Sequence, residues 1–309
     1  MSRCLFTYEL LKSGEKNYSK EGLKTLLRTL NRLEIFPYDQ EQQIEIARQM
    51  AKKISIQGVQ PKFSVVLSSK DQAFKEVESK GQYILKPQVS LYKELPENED
   101  LTMHLVSLAG IKIPWHGLVK CSDGSLSYVI KRFDRVGKEK IPMEDFTQLI
   151  GASRDTKYDI PIEKVVEAIE DFCTFPTIEY LKLYKRIILA FLLGNEDLHL
   201  KNLSIVTIDE KVQLSPVYDF VNSTIINSNS DEELALSIGG KKKDFTKIDF
   251  TEGFAMQTLF LRKEMVEKEL QKLLNCIPEW KIMIEKSFLS ASLKIKYIEL
   301  INKRAARLR

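Results

Sequence analysis

The sequence is poor in the residues that build disulfide and zinc frameworks. It has four cysteines, Cys4, Cys121, Cys173 and Cys276, without a CxxC pair, and only three histidines. That argues against a disulfide-stapled scaffold and a Cys/His zinc site, and fits reduced thiols in a cytoplasmic protein. Any metal chemistry then rests on oxygen ligands, which suits magnesium. No apolar run approaches the roughly 20 residues a membrane span needs, so no membrane role is expected, and Met1-Ser2-Arg3-Cys4 opens no secretory apolar region. A GxGxxG or Walker A loop, an internal repeat and a low-complexity tract are also missing. Charge of neither sign dominates. The 47 basic and 43 acidic residues leave +4, which argues neither for nor against a nucleic-acid partner.

What is present is an ordinary globular composition, 43% hydrophobic and 29% charged, over 309 residues, enough for two lobes. Residues 1 to about 50 read as helical and polar, with Leu23, Leu26, Leu27 and Leu30 on one face and Ile44, Ile46, Ala47 and Met50 on another. Phe63–Leu67, Gln82–Lys86, Trp115–Val119 and Ser127–Phe133 then read as strands, with one helix over Asp100–Ala109 stopped at Gly110. From Pro142 onward the pattern is mostly helical, over Ile162–Phe172, Thr177–Leu193, Met256–Leu274 and Trp280–Arg307. A hairpin, Leu203–Val206 and Val212–Leu214, interrupts it. The expected architecture is α+β and two-lobed, with a protein-kinase-like fold. A β-rich N-lobe with a helical start spans residues 1–133, and an α-helical C-lobe spans residues 134–309.

The candidate site, expected at the junction of the two lobes, is Gly194-Asn195-Glu196-Asp197-Leu198-His199-Leu200-Lys201-Asn202, directly after the apolar run Ile187–Leu193. Asp197, then Asn202, then a hairpin and Asp219 is the spacing of a kinase catalytic loop and its metal-binding carboxylate. Asp197 is the candidate base; Asn202 and Asp219 supply oxygens for a hard cation. His199 can orient the loop or touch a phosphate, or be an ordinary core histidine. Lys201 can neutralise a transferring phosphoryl or lie on the surface. Lys86, at a strand end, suits donor phosphates as a point charge. Glu99 is its expected partner, with Glu97 and Asp100 competing for the role. Ser55-Ile56-Gln57-Gly58-Val59-Gln60-Pro61-Lys62 is a short loop able to cover phosphates, and Ser55 is a candidate phosphoacceptor or a turn serine. After the last strand, Lys131 to Asp134 offer backbone groups to a purine; Phe133 can pack the base and Asp134 can reach the ribose.

Together, the 194–202 stretch, the Ser55–Lys62 loop, Lys131-Arg132-Phe133-Asp134-Arg135 and Pro216-Val217-Tyr218-Asp219 resemble the HipA-like serine/threonine kinases of bacterial toxin–antitoxin systems. The resemblance runs from about residue 54 to about residue 250. It implies an ATP- and magnesium-dependent protein kinase with Asp197 as base, Asn202 and Asp219 on magnesium, and Lys86 on ATP. It also implies that Gly58, Val59, Gln60 and Lys62 line the phosphate loop, that Gln148 lies beside the nucleotide, and that Ser55 is an autophosphorylation site. Lys131 replaces an acidic hinge residue of the family, so only its backbone contact to adenine is implied. Few residues precede the loop, which resembles the short HipT form. That form implies a small HipS-like partner, a HipB-like helix-turn-helix antitoxin, and DNA contact only through the antitoxin. The implied target is an aminoacyl-tRNA synthetase, tryptophanyl before glutamyl, with translation inhibited as the outcome. A pseudokinase scaffold or corepressor and a small-molecule kinase are the alternatives.

Overall fold

Alternating apolar residues and a few sharp turns organise the chain, and a computed structural model describes residues 2–53, 60–137, 139–152, 160–227 and 231–309. Its helices are α1 (Lys20–Leu26), α2 (Gln40–Lys53), α3 (Leu95–Leu108), α4 (Phe146–Ile150), α5 (Ile162–Phe172), α6 (Pro176–Leu193), α7 (Lys263–Asn275), α8 (Ile277–Lys286) and α9 (Ala291–Ala306). Its strands are β1 (Phe63–Ser68), β2 (Ala73–Glu76), β3 (Tyr83–Lys86), β4 (His116–Lys120), β5 (Leu126–Lys131), β6 (Arg135–Val136), β7 (Glu139–Lys140), β8 (Met143–Asp145), β9 (Ser204–Ile208) and β10 (Lys211–Leu214). The fold is α+β. The chain divides into two compact units: Met1–Leu101, Pro114–Lys138 and Glu285–Leu289 form one, and Thr102–Ile113, Glu139–Ile284 and Ser290–Arg309 form the other.

The first unit is built on an antiparallel sheet of order β2-β1-β3-β5-β4. Phe63, Val65, Leu85, Leu118 and Val129 are fully buried in it, each contributing about 1.5–3 kcal/mol of apolar burial. The start of the chain is laid against this sheet. Leu118 N–H donates to the Leu5 carbonyl at 3.2 Å, and the ring of Phe6 lies so near Gly117 that a Cβ there would meet it at 2.5 Å.

Residues 2–19 are therefore turns and isolated bridges, not the helix that their polar pattern suggested. Tyr8 and Asn17 adopt left-handed φ values of 61° and 60° there, which no helix accommodates. Helix α1 begins only at Ser19, whose Oγ accepts the Gly22 N–H at 3.0 Å as an N-cap. Helix α3 starts five residues earlier than expected, at Leu95-Pro96. Proline's fixed φ and missing N–H suit the first helical turn. Strand β2 was not expected from the sequence.

In the second unit, α6 is buried along most of its length and runs from Pro176 to Leu193. Gly194 ends it with φ 75°, its N–H reaching the Ala190 and Phe191 carbonyls. Strands β10-β9-β8 form a small sheet, with β8 an unexpected third member beside the expected hairpin. The single helix expected over 256–274 is instead a π-helical segment, Asp249–Thr258, then a break with Phe260 at φ 52°, then α7. The helix expected over 280–307 divides at Ser287-Phe288-Leu289, where the chain contributes Phe288 to the core of the first unit.

Candidate active site

In the first unit, the end of β3 places Lys86 against the start of α3. Lys86 Nζ donates to Glu99 Oε1 at 2.6 Å, and the two side chains are 4% and 2% exposed. The ammonium also lies 5.7 Å from the centre of the Tyr128 ring, whose residue is opposite Lys86 in the sheet register. A pair this deeply buried is held by mutual need. Removing one member leaves the other's charge in a poor solvent, at a cost of about 3–5 kcal/mol.

The competing acids have other roles. Asp100 accepts from the Tyr8 hydroxyl at 2.7 Å, and its other oxygen lies 2.7 Å from His116 Nδ1. Glu97 has an oxygen buried without a hydrogen-bond partner, and burial, aided by Glu94 and Asp100, raises its pKa to about 7. The Tyr8–Asp100–His116 cluster was not legible in the sequence, because its members lie far apart in the chain.

In the second unit, the αL turn at Gly194 releases α6 into the 194–202 loop, which is closed by its own backbone. Asp197 N–H donates to Asn195 Oδ1 at 3.1 Å, His199 N–H to the Asp197 carbonyl at 2.8 Å, and Asn202 N–H to the His199 carbonyl at 2.9 Å. Asn202 Nδ2 donates to the Asp197 carbonyl at 3.0 Å. This bond commits the amide nitrogen and leaves Oδ1 as the atom Asn202 can offer a cation. The Asp197 side chain is 49% exposed, so its carboxylate is accessible to a substrate proton. His199 is buried, with Nε2 4.0 Å from Asp197 Oδ1, a separation that places the ring beside the carboxylate without a normal hydrogen bond.

Asp219 follows the β9–β10 hairpin and is half-buried, with a left-handed φ of 53°. A non-glycine residue held there is strained by about 1–2 kcal/mol, so its neighbours must over-determine it. Its carboxylate and the Asn202 amide oxygen are hard donors, and that donor set fits magnesium.

Two supporting groups escaped the sequence reading. Glu196 and Arg304 form a buried ion pair at 3.1 Å, with Thr224 Oγ1 donating to Glu196 at 2.6 Å. Arg304 Nη1 also donates to the Phe191 carbonyl at 2.6 Å. Tyr218 donates to the Lys201 carbonyl at 2.9 Å. Glu196 and Tyr218 directly precede Asp197 and Asp219, which is the only sequence signal that could have drawn attention to them.

The remaining expected residues lie on several elements. Asp134 is buried and takes Arg132 Nε and Nη2 at 2.9 and 2.7 Å and Arg135 Nη1 at 2.7 Å. Burial works against its ionisation, but Arg132 and Arg135 hold the carboxyl below its ordinary range. With three N–H donors already on it, contact with a ribose would require this cluster to rearrange. Lys131 is exposed and Phe133 half-buried, and the Lys131 N–H donates to the Trp115 carbonyl at 2.8 Å. Gln148 closes a capping box on α4, its Oε1 accepting from Asp145 N–H at 3.1 Å. Gln60 and Lys62 are half-buried at the head of β1, while Ser55, Gly58 and Val59 lie outside the described residues. A cavity of about 300 Å³ between the π-helical segment and α7 contains none of the expected residues. No helix among the described residues is long and apolar enough to cross a membrane.

The family described as HipA-like C-terminal domain matches residues 54–280. A Haemophilus influenzae protein named "Putative kinase" is 33% identical over 239 residues, 72% of this chain and 68% of that protein. Other relatives are matched over about half their own length. Among solved structures, the HipA of a Shewanella oneidensis toxin–antitoxin complex with HipB and operator DNA aligns with TM-score 0.70 at 20% identity, covering 90% of this chain and 72% of that one. The Helicobacter pylori proinflammatory kinase CtkA aligns with TM-score 0.55 at 17% identity, covering 73% and 84%. At these identities the two structures share the fold with this chain.

Proposed function

Because this chain belongs to the HipA-like C-terminal domain family, we propose that it is an ATP-dependent protein serine/threonine kinase acting as a toxin. The observation that carries the reading is the 194–202 loop: an accessible Asp197 whose carbonyl is bonded by the amide of Asn202. Asp197 accepts the proton of a substrate hydroxyl as that oxygen bonds to the γ-phosphorus. The bond from the γ-phosphorus to the bridging oxygen breaks, and ADP leaves with that electron pair. Lys86, oriented by Glu99, holds the donor phosphates. Asn202 and Asp219 would hold magnesium, which when bound offsets phosphate charge.

The Ser55 loop is proposed to cover the phosphates and to carry the autophosphorylation site. The family resemblance supports an aminoacyl-tRNA synthetase as target, tryptophanyl first, with arrest of translation in the cytoplasm. It also supports HipB-like and HipS-like partners, with DNA reached only through the antitoxin. The test is transfer from radiolabelled ATP, with magnesium, to the purified chain and to a bacterial extract, followed by phosphoproteomics. The wild type should label protein serine or threonine, and Asp197→Ala or Asp219→Ala should lose at least about 100-fold of the rate. An unlabelled wild type would favour the scaffold reading, and label confined to small molecules would favour the small-molecule kinase. Full activity in either variant would refute the assigned roles.

A further inference from the structure

The five residues from Ser215 to Asp219 belong to no helix or strand, yet backbone and side-chain hydrogen bonds fasten them. Ser215 N–H donates to the Ser204 carbonyl at 2.9 Å, and the two serine hydroxyls are 3.0 Å apart. Arg186, 4% exposed and on α6, donates through Nη2 to the Ser215 carbonyl. Val217 N–H donates to the Lys112 carbonyl at 3.0 Å. The last of these links is Tyr218. Its hydroxyl is 2.9 Å from the Lys201 carbonyl and 3.0 Å from Ser204 Oγ. A carbonyl can only accept, so the phenol proton points at Lys201.

The bond therefore joins the residue before Asn202 to the residue before Asp219. The Tyr218 hydroxyl thus links the two peptides that carry the proposed cation donors. Asp219 sits in a strained left-handed conformation and needs such a restraint to persist. We propose that Tyr218 is a positioning residue that sets the separation of the Asn202 and Asp219 donor oxygens, and so tunes divalent-cation affinity without touching cation or nucleotide. This rests on the kinase reading above.

Tyr218→Phe removes one oxygen and keeps the ring. Manganese serves as the spectroscopic probe, with free ion measured by electron paramagnetic resonance beside a non-hydrolysable ATP analogue. The manganese dissociation constant should rise about tenfold, the size expected from one lost hydrogen bond. The magnesium concentration for half-maximal transfer should rise in parallel, with the ATP KM at saturating magnesium within about threefold of wild type. Ser204→Ala, which removes the second partner, should shift cation affinity in the same direction and reads the same link if Tyr218→Phe folds poorly. Unchanged manganese affinity with only a lowered melting temperature would make Tyr218 a packing residue and overturn the proposal. A wild type that binds manganese with the ATP analogue but transfers no phosphate would sink the kinase reading alone, because the cation measurement still decides the role of Tyr218. A wild type that binds no manganese would overturn both.

Discussion

Glu97 shows how a single side chain can act against the fold. It lies in the first turn of α3, largely buried, with one oxygen lacking a partner and with Glu94 and Asp100 nearby. Its pKa rises from an ordinary 4.5 to about 7. An acid that holds its proton more tightly in the folded state favours folding at low pH. That contribution is lost as pH rises from 4.5 through about 7. Glu97→Gln should therefore leave stability near pH 4 almost unchanged and raise it by roughly 1–3 kcal/mol at pH 8.5, read from urea unfolding at both values. A stabilisation equal at both pH values would show that the carboxyl does not titrate in this window. Glu99, two residues on, is buried as well, but Lys86 meets it at 2.6 Å. Three acids close together in one helix thus have three fates, decided by which neighbour the sheet brings to each. The sequence offered Glu99 as the partner of Lys86 with Glu97 and Asp100 as competitors, and the choice among the three depends on the helix starting at Leu95.

At the scale of elements, the approach to the catalytic loop depends on how α6 ends. Gly194 takes φ 75°, and a Cβ there would lie 2.4 Å from Asn222 Oδ1 and 2.6 Å from Leu300 Cδ2. Gly194→Ala combines left-handed strain with overpacking, and should destabilise the protein by about 2–5 kcal/mol in denaturant unfolding. A loss under about 1 kcal/mol would mean that the loop relaxes freely around the added methyl. This turn was legible, since an apolar helix followed by glycine is a common helix ending. The breaks at 259–262 and 287–289 were not. Leu259-Phe260-Leu261-Arg262 contains neither glycine nor proline, and its apolar spacing continues that of the flanking helices. Local propensity shows no stop there; the break comes from packing.

For the molecule as a whole, residues near the end of the described chain tie together segments distant in sequence. Arg304 on α9 bonds the Phe191 carbonyl, Glu196 and Thr224, while Arg307 pairs with Glu233 at 2.9 Å and bonds the Phe245 carbonyl at 2.8 Å. Burial alone would drive Glu196 toward its neutral form; the direct contact with Arg304 opposes this. Arg304→Ala should cost about 3–5 kcal/mol by leaving Glu196 buried without its cation. Hydrogen exchange should show the 194–199 backbone opening well before α6 in that variant. Equal protection of the loop in variant and wild type would show that α9 does not restrain it.

The sequence by itself determined the α+β class, the helix–glycine–loop unit around Asp197, and the Asp197–Asn202–hairpin–Asp219 order. Each is local, written in apolar period, turn residues and short spacings. Only the tertiary structure decided that Glu99 takes Lys86, that Asp134 goes to two arginines, that Gln148 caps a helix, and that Tyr218 and Arg304 brace the loop. These are contacts between groups that compete for the same partner or lie many residues apart. Burial and geometry choose among such contacts, and neither can be computed from the order of residues along one segment.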